Sequence, residues 1–273
     1  MEYRLATTAS ALAVLGVVAV AAVATGAGST RTAAAETTKA TKARTPLEQL
    51  IASGHPLYCG GRRKREVALT FDDGPGPFTF QLLRALRRGH APATFFLVGN
   101  RITRWLSGAR AEARYGVLGD HTWGHEFLPG LEHGNAVWQI EWGRREIVKR
   151  TGVWTSLFRP PYGAMTKPLR RLLHQKRMAE ILWSVDGRDY VPGATPQSVL
   201  AAVEEGLAPG AIIGLHEIHT QTIAALPMIL GELRRRHLKP VTITQLIRDD
   251  APTAKRLRGG LFGCVHGALG AGH

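Results

Sequence analysis

Val67-Ala68-Leu69-Thr70-Phe71-Asp72-Asp73-Gly74-Pro75 passes from an apolar run straight into two carboxylates and a Gly-Pro pair. A short apolar run bounded by turn residues reads as a buried strand. The Gly-Pro pair then turns the chain sharply. Neighbouring side chains leave a strand in different directions. One carboxylate is therefore placed to hold a cation while the other, close but uncoordinated, takes a proton. The plainer reading of the same residues is an Asp-Asp-Gly-Pro turn whose side chains bond locally.

Working outward, similar apolar runs recur at Ala93 to Val98, Val117 to Gly119, Ser156 to Phe158, Ile181 to Val185, Ala211 to Leu215 and, briefly, Pro240 to Ile243. Between them lie helical patterns at Phe80 to Arg88, Val137 to Arg150, Pro168 to Lys176, Pro196 to Gly206 and Thr222 to Arg236. Strands alternating with helices imply parallel strands joined by helical crossovers. The expected fold is α/β, a distorted, incomplete (β/α) barrel of about seven parallel strands.

The ionisable residues fall at the carboxyl ends of these strands. Asp72 and Asp73 follow the first, His121 the third, Arg159 the fourth, Asp186 and Asp189 the fifth, and His216 the sixth. In a parallel barrel those ends share one face, where catalytic groups collect from distant parts of the chain. His121-Thr122-Trp123-Gly124-His125 has a His-x-x-x-His spacing, which on a helical turn sets both imidazoles on one face. With Asp73 they supply two nitrogens and an oxygen, a set of three protein ligands that leaves a zinc position open. Phe158-Arg159-Pro160-Pro161-Tyr162-Gly163 pairs a fixed charge with two prolines that stiffen the loop and aim a backbone N–H. Trp183-Ser184-Val185-Asp186-Gly187-Arg188-Asp189-Tyr190 and Leu215-His216-Glu217-Ile218-His219 add carboxylates and an imidazole suited to proton transfer.

These ordered motifs resemble those of the polysaccharide deacetylases, carbohydrate esterase family 4, over about Glu66 to Ile247, particularly the peptidoglycan N-acetylglucosamine deacetylases. Ala93-Thr94-Phe95-Phe96-Leu97-Val98-Gly99-Asn100 and Ala224-Ala225-Leu226-Pro227 are similar as well. The resemblance implies Asp72 as general base, with Asp73, His121 and His125 as ligands of one divalent ion, zinc first and cobalt or similar next. It implies that Arg159 orients the base, that the Tyr162 N–H stabilises the oxyanion, and that His216 is the general acid, tuned by Asp189. Tyr190 stands where the family usually has Trp and is expected to form an aromatic wall for the substrate. Further positions depart from the family, among them Tyr115-Gly116-Val117 in place of a common Gly-His-Glu segment before His121. Gly124 replaces a bracing Ser or Thr, Gly214 replaces a leucine that faces the acetyl methyl, and Glu217 replaces Asp.

At 273 residues the chain is sized for one main domain. The 31 glycines and 15 prolines show no repeat, which excludes collagen-like and solenoid architectures. Net charge is +14, which suits an anionic partner such as a wall polymer, a membrane surface or nucleic acid, the plainer reading being a solvated basic surface. Charge alone, without a reader motif, does not make a nucleic-acid-binding protein. Residues 1–28 hold an uncharged Ala/Val/Leu/Gly stretch, expected to be an export signal or a membrane tether. Residues 29–58 read as a flexible linker, 59–250 as the catalytic domain and 251–273 as a Gly-rich, loosely packed tail. Cys59 and Cys264 exclude a Cys-rich zinc finger. An oxidising compartment would allow a disulfide tying the two extensions together; the alternative is free or intermolecular thiols.

The expected protein is thus an exported, monomeric, metal-dependent N-deacetylase of a β-1,4-linked polysaccharide, peptidoglycan or a chitin-like glycan, with no nucleic-acid partner. Its rivals are an O-deacetylase of acetylated xylan and a wall-binding protein with weakened turnover.

Overall fold

The computed structural model describes residues 43–265. Its strands are β1 (Glu66–Gly74), β2 (Thr94–Leu97), β3 (Val117–Asp120), β4 (Leu157–Phe158), β5 (Ala179–Glu180), β6 (Val185–Asp186), β7 (Ile212–His216) and β8 (Lys239–Val241). The helices are α1 (Pro46–Ser53), α2 (Thr79–Arg88), α3 (Gly99–Arg104), α4 (Leu106–Tyr115), α5 (His133–Thr151), α6 (Lys167–Gln175), α7 (Pro196–Gly206), α8 (Thr220–Arg235), α9 (Ile243–Asp249), α10 (Ala254–Arg258) and α11 (Gly260–Val265).

All strand pairs are parallel, in the order β5-β4-β3-β2-β1-β7-β6, with β8 beside the start of β1. This is the incomplete α/β barrel read from the sequence, with β1 at its centre. Period-two alternation divides β1 between two cores. Val67, Leu69 and Phe71 join the layer packed under α2, α7 and α8, with Leu82, Leu86, Val203 and Leu226. Ala68 points the other way, into a second core with Phe96, Leu157, Ile212 and Val241. Thr70 and Asp72 follow Ala68 on that inner side, so the strand's polar residues enter the barrel.

The expected strand Ile181 to Val185 is two short ones. Residues 179–180 pair with β4, whereas residues 185–186 pair with β7 on the opposite edge. Between them the carbonyls of Ile181 and Leu182 accept hydrogen bonds from the Arg159 guanidinium instead of from a neighbouring strand. A ladder deprived of its acceptors stops there, and the chain crosses the gap between the barrel's edges.

The expected linker is ordered over its described part. Thr45 and Glu48 form a capping box, Pro46 starts α1, and Leu50 is buried. Leu57 is fully buried, exchanging hydrogen bonds with Glu180 and Leu182. The tail likewise forms α10 and α11. Cys264 is disulfide-bonded to Cys59 across 205 residues, and its carbonyl accepts a hydrogen bond from Arg62. The export segment at 1–28, the linker up to residue 42 and the last residues of the tail lie outside the described residues. Among the described residues no helix is long and apolar enough to cross a membrane.

Candidate active site

Adjacent residues on a regular strand face opposite ways, yet Asp72 and Asp73 of β1 line one cavity. The register with β2 slips between Asp72 and Gly74, and Asp73 has φ 68°, in the left-handed region. This bulge turns Asp73 into the barrel beside Asp72. A local strain of this kind persists where surrounding structure fixes it. Here β2 and β7 pair with β1 on either side of the bulge.

Asp72 is held by Arg159. The guanidinium is fully buried, and its Nη1 donates to Asp72 Oδ1 at 2.7 Å and to Thr70 Oγ1 at 2.8 Å. It also lies over the Phe96 ring at 4.1 Å and bonds the Ile181 and Leu182 carbonyls. Burial lowers the Arg159 pKa and Asp72 opposes the shift, so the pair is a charge set in the barrel by its own counter-charge. Thr70, not among the residues singled out from the sequence, belongs to this brace. Its signal was its place two residues before Asp72 on the inner face.

His121 directly follows β3, and its Nδ1 lies 2.6 Å from the Arg159 carbonyl. A carbonyl only accepts, so Nδ1 carries the proton and Nε2 keeps its lone pair. Burial lowers the His121 pKa to about 3, which keeps the ring neutral. The two histidines do not share a helix, contrary to the reading of their spacing. They are joined by a loop with left-handed residues at Thr122 (φ 69°) and His125 (φ 62°), which brings the rings to 5.0 Å. Asp120 Oδ1 accepts from the Thr122 N–H, and Thr122 Oγ1 accepts from the His125 N–H. Gln139 Oε1 takes the Gly124 N–H at 2.7 Å. The hydroxyl missing at Gly124 is thus compensated by braces from α5 and from the loop itself.

Asp73 Oδ1 lies 3.7 Å from His121 Nε2 and 3.2 Å from His125 Nε2. It is buried and has no hydrogen-bond partner. The ligand atoms of the three residues lie within 4.8 Å of one another. An orphaned carboxylate oxygen facing two imidazole nitrogens fits a divalent cation, because that cation satisfies all three at once.

Across the cavity, His216 ends β7. Its Nδ1 lies 2.7 Å from Asp189 Oδ1, while its backbone N–H donates to Asp189 Oδ2. Asp189 is fully buried and also accepts from Thr222 Oγ1. Burial pulls the His216 pKa down, but the Asp189 hydrogen bond and charge outweigh it, helped by Asp72 and Asp73. The result is about 9. Asp189 is raised by burial and brought below its usual range chiefly by the bond to His216. Thr222 lies one helix away, and nothing in its own surroundings in the sequence marked it.

Tyr162 has φ 59°, just after the two prolines. The internal bonds of its turn use the N–H groups of Gly163 and Ala164, so that of Tyr162 stays outside them. Its ring packs edge-on against His125 at 4.9 Å. Tyr190 stands edge-on to His216 at 5.4 Å and donates to Asp186 Oδ2. Asp186 thereby braces this wall, with its other oxygen accepting the Arg188 N–H. Trp183 and His219 complete the lining, beyond the residues assigned roles from the sequence. At Gly214 an added Cβ would lie 3.2 Å from the Trp183 ring, so the indole fills the space that a side chain there would take. The cavity, about 350 Å³, brings every site residue named from the sequence to one place except Arg159 and Asp189, which lie behind it and hold Asp72 and His216.

A barrel whose carboxyl-end face gathers three residues able to hold a cation, a clamped carboxylate and a carboxylate-tuned histidine carries the groups of a hydrolase. Residues 60–181 match the model of the family described as polysaccharide deacetylase. The chain is 31% identical over 193 residues to the peptidoglycan-N-acetylglucosamine deacetylase of Bacillus cereus, covering 66% of this chain and 70% of that one. It is 36% identical over 126 residues to chitin deacetylase 1 of Saccharomyces cerevisiae, covering 46% and 41% of the two chains. A crystal structure of a peptidoglycan N-acetylglucosamine deacetylase superposes with TM-score 0.69 at 26% identity, over 72% of this chain and 95% of that one. The chain belongs to the polysaccharide deacetylase family.

Proposed function

We propose that this deacetylase removes N-acetyl groups from a β-1,4-linked N-acetylglucosamine polymer, peptidoglycan before chitin, and releases acetate. The observation that carries the reading is the meeting, in one cavity, of the Asp73-His121-His125 cluster with the Asp72–Arg159 and His216–Asp189 pairs. The named activities of the relatives support this substrate class.

Asp73, His121 and His125 would hold one divalent cation, zinc by preference for two imidazoles and a carboxylate. Such an ion supplies Lewis acidity toward the acyl carbonyl and the attacking water. Asp72 takes the water's proton, and Arg159 fixes its direction by holding Oδ1. The Tyr162 N–H donates to the oxyanion that develops on the acyl oxygen; one such donor is worth about 3 to 4 kcal/mol of barrier. His216, protonated below about pH 9, delivers its proton to the departing nitrogen. An amide needs this acid, because an amine leaves poorly as an anion. Tyr190 and Trp183 wall the sugar and acyl groups.

We further infer export to the cell envelope, with residues 1–28 as signal or tether and 59–250 as the catalytic region. The Cys59–Cys264 disulfide supports an oxidising destination. The test is acetate release from peptidoglycan, chitin oligomers and acetylated xylan, before and after chelation and zinc repletion. Zinc-restored release from the first two is expected. Ester-only activity, or release indifferent to chelation, refutes the reading.

A further inference from the structure

Helix α5 presents an unusual outer face. A solvent-facing helical stripe is normally polar. Here the exposed residues at successive turns are Trp138, Trp142, Arg145 and Lys149. Their spacing of four, three and four residues lays them in one row, about 16 Å long at 1.5 Å per residue. The row begins at the catalytic loop. Trp123, between the two site histidines, meets Trp138 edge-on at 6.0 Å, and Trp138 stacks on Trp142 at 5.5 Å. Arg145 lies over Trp142 at 4.8 Å.

The row ends at a second cavity, about 350 Å³, as large as the catalytic one. Its wall is Trp154, 68% exposed. One face of that indole is fixed by the buried Arg144 guanidinium at 3.8 Å. Arg144 is itself anchored by donating to the Lys176 carbonyl at 3.0 Å, and its Nε is buried without a partner. Arg145, Lys149 and Lys176 bring positive charge to the cavity, against Glu141, which pairs with Lys176 and Arg145. Exposed tryptophans held in place beside cations mark a binding surface rather than a solvated one.

We propose that this row and its terminal cavity form a second binding track for a linear, carboxylate-bearing glycan. The C–H faces of sugar rings pack on the indole surface left free by these stacks, which at Trp154 is the face opposite Arg144. Carboxylates meet Arg145 and Lys149. Stacking beside cations also suits single-stranded nucleic acid. The choice of a glycan rests on the catalytic reading above and on the row's continuity with the catalytic loop.

The test uses the full, metal-loaded chain. Co-sedimentation with insoluble peptidoglycan, which carries carboxylates, is compared with neutral chitin and with competition by single-stranded DNA. Trp154→Ala and the double variant Arg145→Gln/Lys149→Gln are each expected to bind peptidoglycan at least tenfold more weakly. The parent should prefer peptidoglycan to chitin, and all three proteins should release acetate from a soluble short oligomer within twofold of one another. The proposal is overturned if Trp154→Ala binds like the parent, if the parent binds chitin equally well, if DNA displaces the glycan, or if short-oligomer turnover falls in parallel. Failure of the catalytic reading looks different: binding persists, yet the parent releases no acetate from any substrate.

Discussion

Asp189→Asn isolates the electrostatics of the acid side of the site. The change keeps the shape of the side chain and an oxygen for the His216 backbone N–H, but removes the charge facing Nδ1. Burial depresses the His216 pKa, and the Asp189 contact is the largest force opposing it, so the ring stands at about 9 against an ordinary 6.5. That difference corresponds to about 3 kcal/mol of preference for the protonated ring. Without the carboxylate, burial is opposed only by the more distant Asp72 and Asp73, and the pKa should fall to 6.5 or lower. A cation seated on Asp73 would weaken that residue's pull but leave the Asp189 contact intact. The acid works protonated, so the alkaline limb of kcat/KM should move from about pH 9 to about 6.5. At pH 8 the protonated fraction, and with it the rate, should drop about thirtyfold, with the deficit shrinking toward pH 5.5. The assay is acetate release from a soluble N-acetylglucosamine oligomer across pH. Because the folded-state pKa is raised, the pair's contribution to stability is complete below pH 6.5 and is lost as pH rises through 9. Denaturant melts of parent and variant should converge on the alkaline side. An unmoved alkaline limb, with a deficit equal at every pH, would refute the assignment of His216 as the acid.

Asp73→Ala should lose the bound metal, read by elemental analysis, together with turnover, whereas Asp72→Asn should keep the metal and lose about 10² to 10⁴ in kcat. Arg159→Met leaves the buried Asp72 carboxylate unpaired and should cost about 3 to 5 kcal/mol in denaturant unfolding. Replacing Cys59 and Cys264 together by alanine opens the loop between residues 205 apart and should lower stability by about 2 to 5 kcal/mol without altering the pH profile. Gly214→Leu must push the Trp183 indole aside, since even a Cβ there would lie at 3.2 Å, and kcat/KM should fall on the order of tenfold. An unchanged kcat/KM would mean that the indole does not shape the acyl pocket.

Much of this was legible in the chain. Apolar runs ending in Asp, His or Arg placed the strands, and the parallel barrel rule placed those residues on one face. The helix at Pro196–Gly206 was found at its ends because Thr195 caps it and Pro196 starts it, both local signals. Helices α3 and α4 are absent from the reading of the sequence, and so is α1, although Thr45, Pro46 and Glu48 give it the same local start signals as α7; the Thr-, Ala-, Lys- and Arg-rich stretch before it reads as linker. The spacing of His121 and His125 suggested a helical turn, but the loop geometry comes from Asp120, Thr122 and Gln139, and Gln139 reaches in from another helix.

What the sequence determined by itself was the set of reacting groups and their order, because strand alternation, turn chemistry and ligand type act over a few residues. What only the tertiary structure decided was their aim. The bulge at Asp73, the anchoring of Arg159 by carbonyls from the broken strand, and the clamp of Thr222 on Asp189 all join distant segments. Buried polar groups must find partners wherever the fold brings them, and no local pattern records that search.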